Sequence, residues 1–280
     1  MELLDRLNAA LDYIEEHLET EISYKEAAKL AYLSVYQFQR LFPYIAGVPL
    51  AEYIRRRRLT QAAFALQNGH RVLDVALRYG YESPTAFNRA FQAMHGISPS
   101  AAKQPGTALK AFTRINFQIT IKGDKEMEYR IEEKAAFRVI GMREPLLADI
   151  DDSFKRVPVF WQETHNSGVI PKLLELMNGE PQGLLGVCTC FGEDQENFYY
   201  IAVASDKMPP AGLYEMTVPA GLWAIFHGTG DGKSLQDLQK RIFAEWLPTS
   251  GYQWNNLPDV EVYLSEDPQN MAYEVWLPIV

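Results

Sequence analysis

Two groups of side chains in this sequence have types and spacings that can do chemistry. Thr85, Asn88 and Arg89 share one face of a short helical pattern and bring hydroxyl, amide and guanidinium groups together. Such a face matches the donor and acceptor edges that base pairs present in a major groove. The second group pairs Glu261 with Tyr263 and Glu274 with Trp276, each at the two-residue spacing that puts both side chains on one side of a strand. Carboxylates among aromatic rings suit an organic cation, through Coulomb attraction and cation–π contact. Trp223, Phe226, Tyr200 and Trp161 are further aromatic candidates for the same pocket, although buried rings more often build core.

Other constellations point to no catalytic, metal or cofactor site. Cys188 and Cys190 alternate on one strand face, but two thiolates without nearby partners do not complete a metal site. His165 and His227 stand alone in the sequence. The glycine-rich stretch at 228–234, GTGDGKS, lacks the spacing of a phosphate-binding loop and reads as a loop entering a helix.

The elements around Thr85, Asn88 and Arg89 form a repeat. Val72, Val75, Ala76 and Tyr79 recur at helical spacing, Gly80 ends that helix, and Ser83-Pro84 starts the next. Phe87, Phe91 and Met94 form its apolar face. Forty-nine residues upstream, Ser34, Phe38, Arg40, Phe42 and Gly47 match Ser83, Phe87, Arg89, Phe91 and Gly96. The outward face of that first copy is expected to carry Tyr36, Gln39 and Arg40. Between the copies a helix runs from Pro49 to Gly69, a rod of roughly 28 Å against ~34 Å between successive major grooves. One chain is therefore expected to span two adjacent major grooves of double-stranded DNA. The run Arg55–Arg58 heads the spacer helix, and Arg55 and Arg57 are the expected phosphate contacts.

Residues 1–104 resemble the AraC/XylS family of bacterial transcription regulators. The resemblance rests on Ala76, Gly80-Tyr81, Ser83, Phe87, Arg89, Phe91, Gly96 and Ser98-Pro99. It implies an all-α, homeodomain-like double helix–turn–helix domain, with Tyr36, Gln39 and Arg40 in one groove and Thr85, Asn88 and Arg89 in the next. Pro43 and Gln92 stand where the family often has lysine, and SAAK follows Pro99 where it often has a Tyr-Arg pair, so some phosphate contacts differ.

Residues 105–126 read as an ordered connector, with INFQITI as a strand and Gly123-Asp124 as a turn. From 127 to 280 the order is strand (128–143), helix (151–166), strands (184–191 and 197–205), then strand (213–227), helix (233–247), strands (259–264 and 271–279). Trp161 before Ser167-Gly168 echoes Trp246 before Ser250-Gly251. This is an α+β domain of two pseudo-symmetric strand–helix–strand–strand repeats, expected to have helices on one sheet face and an open groove on the other. It resembles the GyrI-like small-molecule-binding domain through the stretch at 220–226, Asp259–Tyr263 and the terminal Tyr273–Ile279. Joined to the first domain, it resembles the Rob-type arrangement, and it implies ligand-contacting glutamates in the last two strands.

Charge divides with the domains. The chain carries −9 overall, but residues 1–105 hold 12 Lys and Arg against 11 Asp and Glu, so the acidity lies in the second half. A DNA-binding module at +1 is expected to bind non-specific DNA weakly, with a shallow salt slope. No apolar run approaches a membrane span, and the N-terminal stretch is an amphipathic helix rather than a signal peptide. Two closely spaced cysteines fit a reducing compartment, so the cytoplasm is the expected location. Three functions stay open. The first is a regulator, expected to be an activator contacting RNA polymerase and responding to an amphipathic or cationic ligand. The second is a hydrolase of small electrophiles using Glu274 with Tyr263 or Trp223. The third is a recruiting domain with an empty groove.

Overall fold

Serine caps and left-handed glycines set the limits of the helices that carry the repeat. The computed structural model describes residues 3–117, 126–146, 150–189, 196–265 and 270–280. They fall into two units, Met1–Gln118 and Ile119–Val280. The first holds α1 (Leu3–Glu16), α2 (Tyr24–Leu30), α3 (Val35–Ala46), α4 (Leu50–Gln67), α5 (Val72–Arg78) and α6 (Pro84–His95). Ser34 and Gln37 form a reciprocal capping box at the start of α3, and Gly47 ends it at φ 71°. Ser83 accepts from the Ala86 amide at the start of α6, with Pro84 at the first helical position and Gly96 ending it at φ 79°.

The spacer helix α4 is the core of this unit. Its 18 residues make a rod of about 27 Å. Leu59, Ala62, Ala63 and Leu66 pack with Val75, Ala76, Phe87 and Phe91 of the second helix–turn–helix.

The four arginines of α4 have separate local duties. Arg57, an expected phosphate contact, is buried: its Nη2 lies 2.8 Å from Glu15 Oε2, and its Nη1 donates to the Phe112 carbonyl. Burial against α1 removes it from any phosphate. Arg58 donates to the carbonyls of Leu18 and Thr20 at 2.9 and 2.7 Å. Arg55 and Arg56 both donate to Glu52, and Arg55 alone of the four is exposed.

The stretch after Lys103 is strapped across this unit. The Phe112 amide donates to Thr60 Oγ1 at 3.0 Å, and Phe117 exchanges two hydrogen bonds with the Asn8 side chain, at 2.8 and 2.9 Å. His95 reaches the Leu59 carbonyl through Nε2 and accepts the Lys110 amide at Nδ1, both at 3.3 Å, which fixes a neutral tautomer. Burial accordingly pushes its pKa down. Residues 115–117 of the expected INFQITI strand are not in a strand, and 118–125, with the expected turn, lie outside the described residues.

The second unit is one eight-stranded antiparallel sheet with helices. Its elements are β1 (Tyr129–Lys134), β2 (Phe137–Pro145), α7 (Ile150–Asn166), α8 (Ile170–Leu176), β3 (Leu184–Cys188), β4 (Phe198–Ala204), β5 (Tyr214–Val218), β6 (Gly221–Gly230), α9 (Gly232–Arg241), α10 (Leu247–Ser250), β7 (Asp259–Tyr263) and β8 (Met271–Ile279). A π-helical turn, Ile242–Trp246, joins α9 to α10. Strand order is β1-β6-β8-β7-β3-β4-β2-β5. Each long strand expected at the start of a repeat is two strands. The leading strand of each pair crosses to the other repeat: β1 pairs with β6, and β5 pairs with β2.

These exchanged strands dictate curvature. Only residues 135–136 link β1 to β2, and only 219–220 link β5 to β6. Such links reach about 11 Å, whereas six strand spacings in a flat sheet measure about 29 Å. The sheet must curl, and its inner face becomes a core of Val139, Leu185, Val187, Tyr200, Trp223, Ile225, Val260, Val262 and Trp276. Phe137 of β2 meets Trp276 of β8, ring centroids 6.2 Å apart, although three strands separate them in the sheet order. The expected open groove on the helix-free face is thus filled by packed rings.

Breaking the Arg57–Glu15 pair would strand a carboxylate in a buried setting. Arg57→Ala is expected to destabilise the first unit by about 3–5 kcal/mol, against about 0–1 kcal/mol for Arg55→Ala. Urea unfolding followed by circular dichroism would measure both.

Candidate functional site

The expected DNA-reading surface follows from the helix caps. On α6, Thr85 and Arg89 are exposed and Asn88 is half-buried, while Phe87 and Phe91 are fully buried on the opposite face. The expected outward trio is therefore presented. On α3, Tyr36 and Gln39 are half-buried, but Arg40 is only 6% exposed. Arg40 is a correction to the expected open face: it follows Tyr36 by one turn on the same side of α3, yet it is covered there. The two expected reading helices are unequal as folded, because α6 presents an exposed guanidinium where α3 presents a half-buried phenol and amide.

Strand register decides the second group. Antiparallel partners share a face, and β7 pairs with β8 as Val260↔Trp276, Glu261↔Val275, Val262↔Glu274 and Tyr263↔Tyr273. Alternation within each strand is as the sequence indicates, yet the two carboxylate–aromatic pairs occupy opposite faces. Glu274, Trp276, Trp223 and Tyr200 belong to the inner face; Glu261, Tyr263 and Phe226 belong to the face that carries the helices. One pocket lined by both glutamates does not form. The hydrolase pairing of Glu274 with Tyr263 is separated in the same way.

Glu274 is already neutralised. Arg130 Nη1 lies 2.9 Å from its Oε1, the Trp276 indole donates to Oε2 at 2.8 Å, and His227 Nδ1 stands 3.5 Å away. Burial pushes its pKa up, but the hydrogen bonds from Arg130 and Trp276 outweigh it, so the carboxyl is held below its ordinary range. Trp223 has no exposure, and Trp276 has 3%.

Glu261 has a different setting. Its Oε2 accepts from the hydroxyls of Tyr199 and Tyr263 at 2.8 and 2.9 Å, and its Oε1 accepts from Gln239 Nε2 of α9 at 2.7 Å. The Trp161 indole of α7 donates to the Tyr199 hydroxyl at 3.0 Å, and its ring meets Tyr263 edge-on at 4.9 Å. Both repeats thus contribute a helix and a strand to one carboxylate. Phe226, an expected neighbour, packs instead against Trp246 and Tyr129.

The position of Glu261 is special by symmetry. It pairs directly with Gly186 of β3 where the two repeats meet. The surrounding pairs, Leu184↔Tyr263 and Cys188↔Asp259, exchange under a pseudo-twofold through that point, so Glu261 and Gly186 are equivalents. A Cβ on Gly186 would lie 2.2 Å from the Tyr199 hydroxyl and 2.6 Å from Glu261 Oε2. The absent side chain in the first repeat makes room for the carboxylate of the second. Tyr199, Gln239 and Gly186 were not legible as site residues. A signal existed only for Tyr199, one of two adjacent tyrosines whose facing depends on register. Cys190 lies outside the described residues, and Cys188 is buried.

Burial, then the charge of Glu261, raises the pKa of Tyr199 and Tyr263 well above the ordinary tyrosine value. A raised folded-state pKa contributes stability below the unfolded value, near pH 10, that is lost as pH climbs above it. Stability of the second unit is expected to fall above about pH 10, and less so in Tyr199→Phe, as read by urea midpoints across pH 7–11. Gly186→Ala is expected to cost at least about 2 kcal/mol through the same clash, measured in the same titration.

The described residues contain no group of three or more metal-ligating side chains and no helix long and apolar enough to cross a membrane. A family model for the GyrI-like small-molecule binding domain matches residues 127–280, and one for a helix-turn-helix domain matches residues 27–104. The transcriptional regulator Rob of Salmonella typhimurium is 25% identical over 96% of each chain. The HTH-type transcriptional activator AarP of Providencia stuartii is 40% identical over 34% of this chain and 70% of its own. YbfP of Bacillus subtilis, an HTH-type transcriptional regulator, is 39% identical over 37% of this chain, which covers about a third of that relative's length, 34%. The solved structure of SAV2435 matches 55% of this chain and 94% of its own at a TM-score of 0.50 and 24% identity, a likeness of fold. The chain belongs to the GyrI-like small-molecule-binding family with an AraC-type helix–turn–helix domain at its N-terminal side, and is a DNA-binding transcription regulator, as its relatives are.

Proposed function

We propose that this regulator is a transcription activator whose output responds to an organic cation held at Glu261. The observation that carries this reading is the half-buried Glu261 carboxylate, which accepts from Tyr199, Tyr263 and Gln239, with the Trp161 ring packed against Tyr263. Hydrogen bonds from Tyr199, Tyr263 and Gln239 hold the carboxylate in place, and the surrounding rings supply cation–π contact. Glu274 fits the role poorly, because Arg130 already compensates it. The ligand groove is therefore read on the helix side of the sheet, between elements of the two repeats. SAV2435, which shares the fold, is described as bound to tetraphenylphosphonium, so that lipophilic cation is the natural first probe.

On DNA, Thr85, Asn88 and Arg89 read one major groove, and Tyr36 and Gln39 read the adjacent one across the span of α4. Arg55 is the phosphate contact retained from the arginine run. Activation, supported by the likeness to AarP, implies contact with RNA polymerase and a cytoplasmic location.

Two measurements test the reading. Titration with tetraphenylphosphonium, followed by tryptophan fluorescence, is expected to saturate and to outrank a neutral isostere. Glu261→Gln should weaken the cation by about tenfold, while Glu274→Gln leaves it nearly unchanged. Equal effects of the two substitutions would remove the assignment. In operator binding, Arg89→Ala is expected to cost about 1–3 kcal/mol on the specific site and little on random DNA. Equal losses on both would make Arg89 a phosphate anchor.

A further inference from the structure

The pseudo-twofold that relates Gly186 to Glu261 also relates two places on the inner face of the sheet. The shift of 84 residues that lays link 135–136 on link 219–220 lays Arg143 of β2 on His227 of β6, and Arg130 of β1 on Tyr214 of β5. Tyr200, opposite Arg143 in the ladder, is then the equivalent of Glu274, opposite His227. Each place holds one arginine, but only one of them holds a carboxylate. Arg130 has Glu274 Oε1 2.9 Å from its Nη1. Arg143 has a phenol where that carboxylate would stand.

Rings hold Arg143 instead. β2 lies between β4 and β5, and Phe198 of β4 and Tyr214 of β5 each bring a ring to its guanidinium, centroids 4.2 and 4.1 Å from Cζ. Such contact orients a guanidinium but leaves its charge uncompensated, because a ring carries no net charge. Among the described residues Arg143 has no ion pair and no side-chain hydrogen bond, and none of its nitrogens is sealed from solvent. The Tyr200 hydroxyl is in the same state, although the residue is only 4% exposed. The acids next to these strand positions are engaged on the opposite face: Glu144 pairs with Arg156, and Glu215 with Arg138. Glu196, just ahead of β4, is exposed and makes no ion pair with Arg143.

We infer that Arg143 and Tyr200 form a site for the carboxylate of a small organic acid. With rings packed on it from both neighbouring strands, the guanidinium offers its in-plane N–H fork, which a planar carboxylate meets bidentately. The equivalent place indicates the class of ligand: Glu274 supplies to Arg130 the charge that a bound acid supplies to Arg143. The Tyr200 hydroxyl adds a donor, and Tyr214, 45% exposed, leaves aromatic surface for the organic body of the acid. The inference is independent of the cation proposed at Glu261, which lies on the other face of the sheet.

The test uses the full chain, isotope-labelled at its arginine side chains, and three probes: benzoate, its neutral isostere benzamide, and inorganic phosphate. Benzoate is expected to move the Arg143 Nε–H resonance, identified by its loss in Arg143→Gln, saturably and at least about tenfold more tightly than benzamide or phosphate. By calorimetry, Arg143→Lys should weaken benzoate about fivefold, because an ammonium keeps the charge and lacks the fork. Tyr200→Phe, which removes only the hydroxyl, should weaken it about threefold. Equal responses to benzoate and benzamide, phosphate binding as tight as benzoate, no saturable shift, or benzoate binding unchanged in Arg143→Gln would overturn the inference. Benzoate binding that appears only in Glu193→Gln/Asp194→Asn would assign the fork to a carboxylate of this chain and overturn it too.

Discussion

The ligand-binding unit depends on two very short links. Residues 135–136 and 219–220 each carry the chain from one edge of an eight-stranded sheet nearly to the other. A flat sheet cannot satisfy them, so the sheet curls until its inner face closes on itself and fills with aromatic and branched side chains. Trp223 and Trp276, attractive as pocket residues, are therefore core, and the carboxylate of the proposed site, Glu261, lies on the face that carries the helices.

At the junction of the repeats the pseudo-symmetry is kept in the backbone and broken in one side chain. Gly186 and Glu261 face each other across β3 and β7, and only one of them can carry a side chain there. A carboxylate at this position gathers donors from both repeats, Tyr199 and Tyr263 from strands and Gln239 from a helix. The same duplication that builds the sheet thus produces a single asymmetric charge at its centre.

The DNA-binding unit shows a comparable division of labour among like residues. Four consecutive arginines cover most of a helix circumference, and the neighbours on each side decide their use. Glu15 and the Phe112 carbonyl take Arg57 inward, carbonyls of the α1–α2 connection take Arg58, and Glu52 takes Arg55 and Arg56. Part of the sequence's positive charge is therefore spent on internal strapping, consistent with a module whose formal charge is close to zero.

Local chemistry alone determined the helix–turn–helix repeat, because caps, left-handed glycines and helical periodicity act within a few residues of one another. Ser34, Ser83, Gly47 and Gly96 end or begin helices where their types require. Alternation within β7 and β8 was equally legible, since a strand's period is a property of one strand. Tertiary structure alone decided the rest. Strand register set Glu261 against Glu274 on opposite faces, because pairing between strands distant in sequence leaves no trace in either strand's own pattern. The strand exchange was hidden because neither stretch carries a sign of which distant strand each of its halves pairs with. Burial of Arg40 and Arg57 was hidden because a guanidinium's direction depends on which partner lies nearest in space, and for Arg57 that partner is 42 residues away.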